Sequence, residues 1–511
     1  MVCKSTFPLF GHHIETGPNR VLHITIRCLF SLSHALAMID LKDLRANPDK
    51  YRIGAKNKAM PADIDGLLAV DAAVRGAQTQ LQELTAEKNR LSKDIGPLMG
   101  LLKKADGAQK AELEAKLAAL KARPIEIASQ EPELEESIRQ LEAGRLALWL
   151  KIPQPADAQA LFGPLPVGSD AEGNQEIRRV GTPAFDPGKS FAQNKGFTPK
   201  THLELIENLG LADFQRGVKM AGSRSYVLTG LGQRLHNAVL QFAFNRMCDR
   251  HGFQAMSVPV LVREELMTGT GFFPAGREQA YCIEESKRED GGRDLFLTGT
   301  GEVGLMGFHQ DEILEEETLP RRYTTVSTCF RREAGAAGRD TAGLYRIHQF
   351  DKVEQIVICR ADEMESRDWH QKMLGFVEEL LAALELPYRL LQCCTGDLGV
   401  KNADMVDVEC WMPGRGDLGK DGRPQGAWGE THSASRLYDF QTRRLNLRYR
   451  AKLENGKTEV RFCHSLNNTV LASPRILIPL LEIHQNADGS VTVPPALRPY
   501  LGGLDVIGRK S

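Results

Sequence analysis

Three patterns are missing from the 511 residues: a Cys-x-x-Cys pair, a run of about 18 apolar residues, and a Gly-x-x-x-x-Gly-Lys-[Ser/Thr] loop. The ten cysteines stand at 3, 28, 248, 282, 329, 359, 393, 394, 410 and 463. Scattered in this way, apart from the adjacent Cys393 and Cys394, they suit neither a zinc ribbon nor a disulfide framework. No zinc is therefore expected, and dispersed reduced thiols point to a cytoplasmic location. Without a long apolar run no membrane-spanning helix is expected. Without the phosphate-binding loop, any ATP chemistry is not of the P-loop kind. Charge of neither sign prevails, since 65 Lys and Arg face 66 Asp and Glu. Composition thus gives no sign of a nucleic-acid binder, although only the contact face of such a protein need be basic.

Acidic residues are also nearly missing from residues 1–37, where Glu15 stands alone beside a Leu/Ile/Phe-rich stretch from Val21 to Leu36. Such a segment reads either as a targeting peptide or as the product of a start codon set upstream of a true start at Met38. The second reading is favoured, because Met38-Ile-Asp-Leu opens a well-patterned segment directly. The length allows two or three domains. The patterning divides the chain into the extension at 1–37, a helical domain at 38–152 and a second domain at 153–511.

From Leu67 the apolar residues follow a three-four rhythm: Leu67, Val70, Val74, Ala77, Leu81, Leu84, then Leu91, Ile95, Leu98 and Leu102. A second series runs Leu113, Leu117, Leu120, Ile127, Leu134, Ile138, Leu141 and Leu148. Both are heptad seams, each the buried stripe of one long helix. The polar stretch Lys104–Gly107 between them predicts a turn and an antiparallel hairpin. Pro124, Glu131 and Pro132 interrupt the second seam and predict a kink there. On pattern alone a two-helix coiled coil is more often a spacer or an oligomerisation device than an RNA reader. Pro153, Pro155, Pro164, Pro166 and Gly168 then mark a linker. Beyond it, short β-rich runs such as Tyr323–Phe330 and Ile347–Cys359 mix with helical stretches such as Gly232–His251 and Asp362–Leu384, an α+β pattern.

The chemistry concentrates in Cys329–Glu354, which reads as strand, Gly-rich loop, strand. Alternation along a strand puts Arg331 and Glu333 on one face, and Arg346, His348, Phe350, Lys352 and Glu354 on another. Arginines, an aromatic ring and carboxylates on a sheet face suit a nucleotide, offering phosphate contacts, base stacking and amino-group recognition. An exposed, salt-laced hairpin would look the same. Three further clusters favour the nucleotide reading. Read as a strand, Thr298–Glu302 places Thr300 and Glu302 on one face. Glu430 and Ser433 offer the hard oxygens that Mg²⁺ prefers. Arg475 stands at the start of an apolar helix, Ile476–Ile483, where it could meet a terminal phosphate.

These segments resemble the class II aminoacyl-tRNA synthetases, and among them the seryl-tRNA synthetases of bacterial type. Glu87–Gly96 looks like the family's arm sequence. Gly252–Val260 with Pro259 resembles motif 1, Cys329–Glu354 motif 2 and Leu466–Gln485 motif 3, and Asp439–Arg450 also follows the family. The likeness implies an α+β fold, with an N-terminal antiparallel two-helix coiled-coil arm ahead of a catalytic domain on an antiparallel β-sheet flanked by helices. It implies ATP and Mg²⁺ as reactants, and a serine--tRNA ligase acting through seryl-adenylate. For ATP it implies Arg331 on the α-phosphate, Glu333 on the adenine amino group, Phe350 stacking on adenine, and Arg346 on the phosphates. Arg475 would hold the γ-phosphate, and Glu430 and Ser433 both ATP and Mg²⁺. For L-serine it implies Thr300, Glu302, Arg331, Glu354 and Thr469. The implied partners are tRNA(Ser) and tRNA(Sec), bound across the subunits of a homodimer. A serine-activating paralogue that loads a carrier protein would not need the arm. A non-catalytic RNA-binding paralogue should have lost Arg331, Glu333, Phe350 or Arg475. Four features depart from the family: Gly301 in place of Ala, Arg436 in place of Asn, an inserted loop at Gly414–Gly426, and the prolines of the second arm helix.

Overall fold

The computed structural model describes residues 39–287, 292–335 and 343–508. The readings made for residues 1–37 and for the Gly-rich loop at 336–342 lie outside the described residues. The chain opens with two short helices, α1 (Leu41–Ala46) and α2 (Pro48–Asn57), α1 started by the Asp40 carboxylate accepting from the amides of Lys42 and Asp43. Two long helices follow, α3 (Ile64–Leu102) and α4 (Gly107–Trp149). At 39 and 43 residues they extend about 60 Å at 1.5 Å per residue. The turn between them ends at Gly107, whose φ of +60° is cheap for glycine. Every seam residue expected from the heptads is buried or half-buried.

The second arm helix is not interrupted. Helix α4 runs through Pro124 and Pro132, as α3 does through Pro97. Ion pairs cross the hairpin on either side of Pro124: Arg123 Nε lies 3.0 Å from Glu87 Oε1, and Lys88 Nζ pairs with Glu131. Glu131 is tolerated at a seam position because a cation from the facing helix meets it.

Beyond the arm the body is an eight-stranded sheet. Its strands in chain order are β1 (Gln175–Val180), β2 (Gln254–Met256), β3 (Arg321–Phe330), β4 (Gln349–Cys359), β5 (Tyr388–Gln392), β6 (Asp404–Met412), β7 (Ala427–Tyr438) and β8 (His464–Ser473). The order across the sheet is β1-β5-β6-β7-β8-β4-β3-β2, and every pairing is antiparallel except β3 with β2. One face is covered by α5 (Leu231–Asp249), α7 (Glu363–Ala383) and α9 (Leu477–Ile483), whose Val239, Val377 and Leu480 join Val353, Val357 and Leu471 of the strands in the main core. The other face carries two short helices, α6 (Glu302–Gly307) and α8 (Phe440–Arg444). A smaller core of Leu44, Tyr51, Ile64, Leu67, Ile152 and Phe440 joins the base of the arm to the body.

Arg436, which departs from the family pattern, is fully buried on β7. Its guanidinium meets the carboxylate of Asp157 in the linker, lies 3.6 Å from Asp404 on β6, and donates to the Tyr438 hydroxyl at 2.8 Å. Arg367 of α7 reaches the same Asp157 oxygen at 3.0 Å. Burial alone would raise the Asp404 pKa, but hydrogen bonding to His370 and the charges of His370 and Arg436 bring it down to about 2. Removing Arg436 leaves Asp157 to Arg367 and Asp404 to His370, and breaking a buried pair from one side costs about 3–5 kcal/mol. Arg436→Met should therefore lower the denaturant midpoint markedly, whereas Arg461→Met, which breaks an exposed pair with Glu459, should cost about 0–1 kcal/mol. Equal midpoints for the two variants would contradict this reading of Arg436.

Candidate active site

The site is built on the β3–β4 hairpin and closed by β7 and β8. In the β3–β4 register Cys329 faces Phe350 and Thr325 faces Glu354. Strand β3 ends at Phe330, so Arg331 and Glu333 lie past its end rather than sharing a strand face as expected. Glu333 adopts a left-handed φ of 52°. Both side chains nevertheless line one cleft, together with Tyr345, Phe350, Lys352, Glu430, Thr469 and Arg475. The Arg331 guanidinium lies 5.4 Å from the centre of the Phe350 ring, and Arg346 Nη1 lies 3.2 Å from Glu333 Oε2. His348, expected on the same face, instead lines a separate cavity with Gln349 and Asp351.

Arg475 follows β8 and is anchored at two points, donating from Nε to Tyr345 O and from Nη1 to Glu430 O, both at 3.1 Å. Its guanidinium sits 4.6 Å from the Tyr345 ring centre. A second guanidinium, Arg415 from the inserted loop, lies 3.7 Å from the same ring. The loop at 414–426 thus reaches the edge of the cleft.

Behind the cleft lies a sealed cluster of charge. Thr300, Glu302, Lys352 and Glu354 are each no more than 5% exposed. Lys352 Nζ donates to Thr300 Oγ1 at 2.8 Å and to Thr469 Oγ1 at 3.4 Å, and contacts the Glu354 carboxylate. Lys401 Nζ meets Glu302 Oε1 at 2.5 Å, and Gln441 Nε2 donates to the same oxygen at 2.7 Å. Burial raises the Glu354 pKa, opposed by the charge of Lys352, and burial lowers that of Lys401. Glu354 Oε2 is the oxygen that Lys352 contacts, so a small polar guest with its own ammonium competes with Lys352 for it.

Thr298–Glu302 is not a strand. The strand ends at Leu297, and Glu302 opens α6 with its amide donating to Thr300 Oγ1 at 3.2 Å. Thr300 and Glu302 come together through this turn rather than by alternation. Gly301 has a spatial reason: a Cβ there would stand 2.6 Å from Thr325 Cγ2 and 2.9 Å from Ser327 Oγ.

Glu430 and Ser433 are three apart on β7, yet the β6–β7 register slips between Glu409↔Glu430 and Val408↔His432. This bulge at Thr431 turns both toward the same side. Asp407 is the cross-strand partner of Ser433, and its Oδ1 is buried without a hydrogen-bond partner among the described residues. Burial and the nearby charge of Glu430 push the Asp407 carboxyl well above the usual range. An unpartnered carboxylate oxygen behind a carboxylate and a hydroxyl is a donor set that fits a hard divalent cation.

Of the expected positions, Arg331, Glu333, Phe350, Glu430, Thr469 and Arg475 line the cleft, Arg346 joins it through Glu333, Thr300, Glu302 and Glu354 lie in the cluster behind it, and Ser433 stands on β7 opposite Asp407. Lys352 had a signal, since it alternates in phase with Phe350 and Glu354. Lys401 and Gln441 had none, because each enters from a segment whose place in the fold is set by tertiary packing, whereas Tyr345 lies within Cys329–Glu354 beside Arg346 and was not singled out.

Comparison with known proteins places these features. Residues 38–154 match the model of the seryl-tRNA synthetase N-terminal domain, and residues 281–484 that of the tRNA synthetase class II core domain (G, H, P, S and T). The serine--tRNA ligases of Deinococcus radiodurans and Pseudarthrobacter chlorophenolicus are 41% and 39% identical to this chain, over 92% of it and 99% of each of theirs. Among solved structures, seryl-tRNA synthetase from Pyrococcus horikoshii complexed with ATP matches with a TM-score of 0.77 and 34% identity, over 93% of this chain and 100% of that one. The cytoplasmic serine-tRNA ligase from Naegleria fowleri in complex with AMP matches with a TM-score of 0.73 and 28% identity, over 91% and 97%.

Proposed function

The chain belongs to the seryl-tRNA synthetase family and is an aminoacyl-tRNA ligase, and from that premise we propose how its residues divide the work. The observation that carries the reading is the joining of the cleft of Arg331, Phe350 and Arg475 to the sealed cluster of Thr300, Glu354 and Thr469, with Lys352 lining one and bonded into the other. ATP occupies the cleft. Phe350 stacks on the adenine while Glu333 accepts from its amino group. Arg331 holds the α-phosphate, Arg346 assists along the phosphates, and Arg475 holds the γ-phosphate. L-serine occupies the cluster, held by Thr300, Glu302, Arg331, Glu354 and Thr469. A site built to pair a hydroxyl rejects alanine, whose binding would leave buried polar groups unmatched.

Glu430 and Ser433 would hold Mg²⁺, which supplies charge neutralisation on the phosphates when bound. The serine carboxylate attacks the α-phosphorus, the bond to the β-phosphate oxygen breaks, and pyrophosphate leaves. The terminal hydroxyl of the tRNA then attacks the seryl carbonyl and AMP departs. The carboxylate nucleophile of the first step is already ionised, so that step needs no general base, and in the second the hydroxyl proton leaves with the phosphate of the departing AMP. Rate comes from positioning and from guanidinium charge aimed at the reacting phosphate.

The arm is assigned to tRNA(Ser) and also to tRNA(Sec), whose serylation is the first step toward selenocysteinyl-tRNA. We assign it to a homodimer in which the arm of one subunit serves the other's active site. The family resemblance supports these assignments, as does an arm about 60 Å long that ends far from the site.

Serine, and neither alanine nor threonine, should drive Mg²⁺-dependent ATP–pyrophosphate exchange. Arg331→Ala and Arg475→Ala should each reduce that exchange by about 10²-fold or more with the circular dichroism unchanged. Near-normal exchange in either variant would remove that arginine from the site.

Replacing residues 78–141 with a short turn should leave exchange nearly intact and abolish most tRNA charging. Charging that survives in full would return the hairpin to the role of a spacer and favour a carrier-loading paralogue.

A further inference from the structure

Lys58 follows helix α2 in the N-terminal helical region, yet its side chain ends inside the catalytic body. It is 2% exposed, and its Nζ donates to the carbonyls of Gly399 at 2.8 Å and Asn402 at 2.6 Å. Among the described residues no carboxylate pairs with it, and burial alone pulls its pKa down to about 7. A buried ammonium without an anion is a poor stabiliser, and an apolar side chain of similar volume would serve the packing as well or better. Its place calls for another reason.

The two carbonyls belong to one turn, in which the Asn402 amide donates to Gly399 O at 3.2 Å. The residue between them that points the other way is Lys401, whose Nζ meets Glu302 at 2.5 Å and lies 4.1 Å from the Phe272 ring centre. The turn is therefore gripped from outside by Lys58 and carries on its inside the cation that neutralises a carboxylate of the serine cluster. The linker helps from the same side, where the Gln154 amide donates to Val400 O at 2.8 Å.

We propose that Lys58 is a positioning residue for amino-acid recognition: it sets the Gly399–Asn402 turn so that Lys401 holds Glu302 in its serine-binding place. The seating of the helical domain that carries the arm is thereby coupled to the amino-acid pocket. The inference rests on the assignment of Glu302 to serine made above. Loss of the clasp loosens Lys401, leaves Glu302 held by Gln441 without its cation, and weakens serine binding. The ATP cleft, which shares no contact with the turn, is untouched.

The test uses the full chain and the Michaelis constants of pyrophosphate exchange. Lys58→Met should raise KM for serine at least fivefold and leave KM for ATP within twofold. Lys401→Met should raise KM for serine more. The double variant should match Lys401→Met alone, because Lys58 acts through Lys401 and residues in one network do not add. If Lys58→Met does not fold, Lys58→Gln, which keeps a donor on a shorter stem, is read by the same criteria. An unchanged KM for serine, equal shifts in both constants, or multiplying effects in the double variant would overturn the proposal. Absence of serine-dependent exchange in the unmodified protein would instead sink the functional reading beneath it.

Discussion

Two carboxylates, Glu302 and Glu354, lie in the protein interior, and the rest of the site is arranged around keeping them there. A lone buried carboxylate would take up a proton or draw in water. Here each has a resident ammonium, Lys401 for Glu302 and Lys352 for Glu354. One ammonium serves several partners, since Lys352 meets Glu354 and also donates to the hydroxyls of Thr300 and Thr469. In the proposed reading serine brings an ammonium, a hydroxyl and a carboxylate into this cluster and takes over contacts that Lys352 now makes. The internal balance of charge makes the empty pocket stable and the filled one selective.

The scaffold delivers that balance through local irregularities in an otherwise regular sheet. The β4–β8 register slips at Val353/Glu354, which sets Thr469 opposite Glu354, and the β6–β7 slip brings Glu430 and Ser433 to one side. Gly301 allows the turn before α6 to lie against β3. At the back of the sheet, Arg436 ties the linker to β6 and β7 through Asp157 and Asp404. Lys58 and Arg436 thus bind the helical region and its linker to the body from two directions, each by a buried cation.

Much of this was legible in the chain itself, for physical reasons that differ by region. The arm was, because a heptad seam repeats over many turns and a few faults cannot hide it. Pro124, Glu131 and Pro132 lie within one continuous helix, and Lys88 and Arg123 supply ion pairs across the hairpin that no one-dimensional pattern contains. The nucleotide face was legible because Arg331, Glu333, Phe350 and Glu354 fall within one hairpin, where proximity follows from the turn. Thr300 and Glu302 were rightly paired for the wrong reason, since a strand-to-helix turn joins them. Lys401, Gln441 and Lys58 were invisible, as each reaches the cluster from an element whose placement depends on packing far along the chain. Arg436 could be flagged as a departure, but its partners Asp157 and Asp404 appear only once linker and sheet are folded together.

The central claim is that the charge-balanced cluster behind the cleft receives the amino acid while the cleft receives the nucleotide. The most direct measurement is a crystal structure of the full chain with a non-hydrolysable seryl-adenylate analogue. The account predicts adenine against Phe350, the phosphate mimic at Arg331, and the seryl group among Thr300, Glu354 and Thr469 with the Lys352 ammonium displaced. An analogue whose seryl group lies outside that cluster, with Lys352 still bonded to Thr300 and Thr469, would contradict it.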